Sequence, residues 1–176
     1  MRYYLLTKYK KQSGISSIEV IASLTILATV ISAAIALFSS ASSSQAVSQM
    51  SIDMASLRTS IQKMYSGQAG YGVSGVNLNA GLIGAGQVPT SLTVVSGNLV
   101  NVYAGQVNAV SNGPGFSVTT TRIPLGVCVG LLTKTNGWTT AAVGANPPQA
   151  APSTVTNAKT QCGTVDLVSV TLASSN

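Results

Sequence analysis

The sequence predicts an α+β fold in which one long N-terminal helix, about residues 15–66, packs on an antiparallel sheet. Three observations predict it. No Gly or Pro occurs between Ile15 and Ser66, so nothing in the composition breaks a helix there. Val47, Met50, Met54, Leu57, Ile61 and Met64 recur at spacings of 3 and 4, an apolar seam on one helical face, with Gln49, Asp53, Arg58 and Lys63 falling off it. After Pro89, short runs rich in Val, Leu and Thr are separated by clusters of Ser, Gly, Asn and Pro, the pattern of a meander.

A chain of 176 residues suits one globular domain. Its first element is MRYYLLTKYKKQSG, residues 1–14, which holds Arg2, Lys8, Lys10 and Lys11 and no acid. Four of the nine Lys and Arg therefore sit in this leader, and the net charge of +6 does not describe the rest. Beyond Gly14 five cations face Glu19, Asp53 and Asp166, with no basic stripe interleaved with aromatics. No nucleic acid is expected to bind directly.

Residues 15–38 are Ile, Val, Leu, Ala, Ser, Thr and Phe apart from one acid, Glu19. At about 1.5 Å per residue they form a helix of roughly 36 Å, enough to cross a hydrocarbon core of about 30 Å. The cations before them place the N-terminus in the cytoplasm and residues 39–176 outside. The seam then carries the same helix on to Ser66, about 75 Å in all, and Gly67 supplies the stop. A helix so long is explained by two solvents, lipid or other copies for its first half and a following domain for its second. A coiled coil is the alternative, but the seam lasts under three heptads.

From Gly67 to Pro89 the sequence reads as loop with one short helical turn. Strands are expected at 92–95, 99–103, 106–110 and 116–123. Pro124, at the first helical position, opens a short helix over 125–132, near 124–133 at its widest, that carries Cys128. Residues 136–160 read as a surface loop, with Trp138 inside it as a core or loop anchor rather than a receptor contact. A last strand, 164–172, returns to the sheet.

Cys128 and Cys162 stand in a chain with no His, which excludes a closed zinc site. In an exported domain a disulfide is the default reading, and two buried free thiols are the alternative. Catalysis lacks parts: three carboxylates lie far apart in sequence, and no Gly-x-Ser-x-Gly or phosphate-loop spacing occurs. A Ser–Lys arrangement is the one nucleophilic constellation the composition leaves open. Neither an enzyme nor a cofactor or metal is expected.

Lys10, Lys11, Gln12, Ser13 and Gly14, followed by Ile15, Ser16, Ser17, Ile18 and Glu19, resemble the cleavage signature of type IV prepilins: a Gly, a cut, and a Glu fifth in the product. Residues 61–71, IQKMYSGQAGY, and the strand and Cys-bearing helix of 116–131 are similar to the type IVb branch, which holds bundle-forming, toxin-coregulated and conjugative thin-pilus pilins. Ile15 departs from the Phe or Met usual at its position, and Ser16 and Ser17 replace more apolar residues.

The resemblance implies a pilin fold, a disulfide-closed C-terminal region exposed on a filament, and a prepilin peptidase that cuts between Gly14 and Ile15 and methylates the new Ile15 amine. It implies that Glu19 sets the register between subunits. The function implied is that of a major subunit of a type IVb pilus serving adhesion, aggregation or conjugative transfer. The implied partners are further copies in a helical homopolymer, an inner-membrane assembly platform with its ATPase, and an outer-membrane secretin. The subunit would wait in the inner membrane as a single-pass protein and end in an extracellular pilus.

Physical chemistry supports the assignments to Glu19 and Gly14. An acid on a membrane span costs about 2.5–3.5 kcal/mol at the centre and less toward an interface, so Glu19 needs a partner. The new amine of Ile15 supplies a cation four residues upstream, or on a neighbour. A Glu that merely snorkels to the surface is the plainer reading. Gly14, with no side chain, lets the backbone lie close to a protease's catalytic groups. Ala22, Ser23, Ala28, Ala33, Ala34 and Ala36 permit close approach of helices. The competing readings are a minor pilin, a type II secretion pseudopilin, a single-span anchored extracellular binding protein, and a secreted protein cut near residues 40–46. The last would need a signal too long and carrying Glu19.

Overall fold

The computed structural model describes residues 16–175, and for 36–40 the backbone alone. Gly14 and Ile15 lie outside the described residues. The chain divides into two compact units, residues 1–40 and 41–176. The helix α1, Ser17–Met64, contributes to both.

In the second unit the seam is the helix's buried face. Met50, Met54, Leu57 and Ile61 are at most 1% exposed, Val47 is buried and Met64 half-buried. Asp53, expected off the seam, is buried too, because its carboxylate accepts from Gln49 Nε2 at 2.9 Å and from Ser91 Oγ. Paired hydrogen bonds offset the desolvation that burial costs an acid. Gly67 then turns the chain at φ +84°. The helical turn expected in the following loop is α2, Asn79–Gly84.

The sheet has seven antiparallel strands: β1 Thr93–Val95, β2 Asn98–Val100, β3 Gln106–Ser111, β4 Phe116–Pro124, β5 Thr140–Val143, β6 Gln149–Ala150 and β7 Leu167–Ser174. Their order is β1-β2-β3-β4-β7-β5-β6. The first four form the expected meander, but β2 ends at Val100. Asn101 is buried, and its side chain accepts from Tyr103 N and Gly105 N and donates to Thr120 Oγ1 and Thr121 O, all at 2.9 Å. That tightens 101–105 into a turn instead of a strand.

In β4, Phe116, Val118 and Thr120 face inward, and Ile123 resumes the inward set after a register shift. The extra residue is a β-bulge, and it holds exposed Arg122 at φ +60°. Pro124 is the N-cap of α3, Leu125–Thr133, with extended backbone, rather than its first helical residue.

Residues 136–160 are not a surface loop. They contain β5, β6 and the start of α4, Val155–Cys162, and Trp138 is core at 4% exposed. The strand β7 lies between β4 and β5, pairing Val118 with Leu172 and Val143 with Val170. It starts three residues later than expected and ends two later, leaving Val165 outside the sheet and exposed.

Candidate assembly interface

Within the first unit, Ser17–Ile35 is long and apolar enough to cross a membrane, with a mean hydropathy of 2.2 and no buried residue among those described. Ile18 is 77% exposed, Ile21 64% and Leu24 59%. A water-soluble surface does not carry so continuous an apolar face. Four hydroxyls on it are turned inward to the helix's own backbone. Ser23 donates to Val20 O, Thr25 to Ile21 O, Thr29 to Ile26 O and Ser32 to Ala28 O, at 2.6 to 2.9 Å. Each is thereby satisfied without water, as an apolar solvent requires.

Glu19 is the one acid in that segment. Its Oε2 accepts from Ser16 N at 3.0 Å, while Ser16 Oγ accepts from Ile18 N at 3.2 Å and Ser16 O accepts from Glu19 N at 2.9 Å. This is a variant of the capping box, with Ser16 Oγ on the second helical N–H instead of the third, and it satisfies donors that a helix start leaves open. The negative carboxylate also lies at the positive end of the helix dipole. In the sequence Ser16 reads only as a departure from the apolar pattern. The signal was present as Ser16-x-x-Glu19, the spacing of such a box.

In the second unit, Cys128 on α3 and Cys162 at the end of α4 form a disulfide, with Cα atoms 6.1 Å apart. Both are buried, at 0% and 2% exposed. Thr154 caps α4 by accepting from Asn157 N at 3.3 Å, and Gly163 ends it at φ +63°. Asn146 Nδ2 donates to Gln161 O at 2.9 Å, tying the β5–β6 turn to α4. Trp138, Phe116, Tyr71 and Tyr65 pack ring to ring at 4.8 to 5.8 Å. The order Trp138–Phe116–Tyr71–Tyr65 joins sheet, helix end and loop. Among the described residues no three His, Cys, Asp or Glu gather where they could hold a metal.

The residues singled out from the sequence thus fall in two places. Glu19 stands on the apolar segment of one unit, the cysteines are joined in the other, and Gly14 and Ile15 lie outside the described residues.

No curated protein sequence matches the chain. The fold is similar to that of TcpA, a type IV pilin from Vibrio cholerae El Tor biotype, with a TM-score of 0.51 and 14% identity over 74% of this chain and 99% of that one. The type IVb pilin PilS from Salmonella typhi gives a TM-score of 0.49 and 19% identity, over 74% of this chain and 96% of that one. At such identities the TcpA likeness speaks to the fold. The family model described as PilS N terminal matches residues 42–175, well over half of the sequence. The chain has a type IV pilin fold and belongs to the PilS N-terminal family.

Proposed function

We propose that this chain is the major structural subunit of a type IVb pilus, made with residues 1–14 as a leader and cut by a prepilin peptidase between Gly14 and Ile15. Membership of a pilin family supports a structural, self-polymerising role rather than an enzymatic one. The apolar helix fits a membrane anchor. Residues 15–38 hold the subunit in the inner membrane, with the N-terminus cytoplasmic and 39–176 outside. The Ile15 amine is methylated after the cut. The assembly platform and its ATPase then drive subunits into a helical homopolymer, which leaves through the secretin and serves adhesion, aggregation or conjugative transfer.

The observation that carries this reading is Glu19 on an uncovered apolar helix. In lipid its charge is costly, and its own capping box offsets only part of that cost. In a fibre the apolar faces of neighbouring helices replace lipid, and the amine at Ile15 of one subunit meets Glu19 of the next. The pair neutralises both charges and fixes one axial register, since any slip buries two unpaired ions.

Glu19→Ala tests it. The second unit should still fold and form its disulfide, because Glu19 belongs to the other compact unit, while pili are lost. Normal pili built from the variant alone refute the role.

A further inference from the structure

A cleft of about 250 Å³ opens where α1 ends, lined by Gln62, Tyr65, Ser66, Gln68 and Tyr71 with the backbone of Gly67 and Gly70. Its floor is built, not incidental. Gln68 N donates to Tyr65 O at 3.1 Å, and Tyr71 N to Gly113 O at 2.8 Å. A Cβ on Gly70 would fall 2.6 Å from Gly113 O, so the turn can lie this deep only with glycine there. Tyr65 and Tyr71 stand with centroids 5.6 Å apart at 51°, and Tyr71 is braced behind by Phe116 at 4.8 Å.

The polar groups of this cleft are unused. Among the described residues, none of the five side chains forms a hydrogen bond with another protein group. Tyr71 is only 6% exposed, yet its hydroxyl is not among the sealed, partnerless atoms, so it keeps contact with solvent. Two amides and three hydroxyls therefore offer both donors and acceptors within one small space. No charged side chain lines it, and the negative end of the α1 dipole disfavours an anion. The volume is below the ~300–1,000 Å³ of sites for drug-sized ligands, so it suits a single ring.

We propose that this cleft binds one neutral pyranose, with an apolar face of the sugar against Tyr65 and its hydroxyls bonded to Gln62, Gln68, Ser66 and the Tyr71 hydroxyl. Amides pair with adjacent sugar hydroxyls as donor and acceptor together, and an aromatic face accepts the sugar's C–H groups. The site does not depend on processing or polymerisation.

The test is saturation-transfer NMR on the full-length chain in a zwitterionic detergent without a sugar headgroup. The probes are the methyl glycosides of glucose, galactose, N-acetylglucosamine and N-acetylgalactosamine. At least one should receive saturation from the protein and saturate in the millimolar range. Gln62→Ala and Tyr65→Ala should each weaken it by roughly tenfold, the scale of one lost hydrogen bond or stacking contact. Because Tyr65 packs on Tyr71, Gln62→Ala with Gln68→Ala provides a variant that leaves the aromatic packing whole, checked by Trp138 fluorescence. Three results overturn the proposal: no glycoside bound at tens of millimolar, binding unchanged in the double amide variant, or displacement of the sugar by inorganic phosphate.

Discussion

Breaking the Cys128–Cys162 bond should weaken the second unit by an amount the sequence separation sets. The two residues are 34 apart, and closing a loop of that size removes roughly 13 cal/mol/K from the unfolded chain, about 4 kcal/mol at 25 °C. The emptied sulfur sites in a buried setting add on the order of 1 kcal/mol. Against a typical stability of ~5–15 kcal/mol this is a large share. Cys128→Ala, Cys162→Ala and the double variant all break the same bond, so the double should cost little more than either single. The assay is guanidinium unfolding of the full-length chain in zwitterionic micelles, followed by the fluorescence of Trp138, which packs on Phe116 in the core. A loss under about 1 kcal/mol, or a double variant equal to the sum of the singles, refutes the reasoning.

Leu57→Ala, at the middle of the buried seam, should cost about 2–5 kcal/mol in the same unfolding assay. Asn101→Ala leaves two backbone N–H groups and Thr121 O without their partner and should cost about 2–4 kcal/mol. Glycines should divide by their surroundings. Gly126→Ala, in α3 with open space around it, should stabilise by about 0.5–1 kcal/mol. Gly105→Ala drives its Cβ into the carbonyl of Thr121 and should cost at least ~2 kcal/mol, so a neutral result there contradicts the packing described.

What the sequence made legible was long and periodic. The helix could be read because forty-eight residues, Ser17–Met64, carry two clear patterns and no breaker, and both ends fell within about two residues of expectation. The alternation of β3 and β4 likewise reflects a sheet with one buried face. What stayed hidden lacks apolar bulk. In β5 the buried residues are Ala141 and Val143, and its pairing with β7 is set by neighbours distant in sequence. The polar helix α4 buries only Ala158 and Cys162, and is held by the disulfide, its Thr154 cap and Asn146. Its cap is visible as Thr154-x-x-Asn157, but two residues after Pro152 it reads equally as loop chemistry. Asp53 shows the converse limit, since helical periodicity places its side chain but not the Ser91 hydroxyl that makes its burial tolerable.

Of the candidate site, the acid on the apolar segment was legible because charge in such a run is rare. The capping box at Ser16 was not, because the same serines looked like substitutions away from an apolar pattern. The Tyr and Gln cleft was read only as the end of a helix. Its walls come from a turn whose depth depends on Gly70 approaching Gly113, a contact that no local pattern announces.

On the function proposed, the chain is cut once, at Gly14, and then polymerises through its apolar helix. Intact-mass measurement and N-terminal sequencing of the main protein in sheared fibres test it most directly. The expected subunit begins at Ile15, carries one added methyl group on its amine and keeps the Cys128–Cys162 bond. A product beginning after about residue 41, or fibres without this chain, contradicts it.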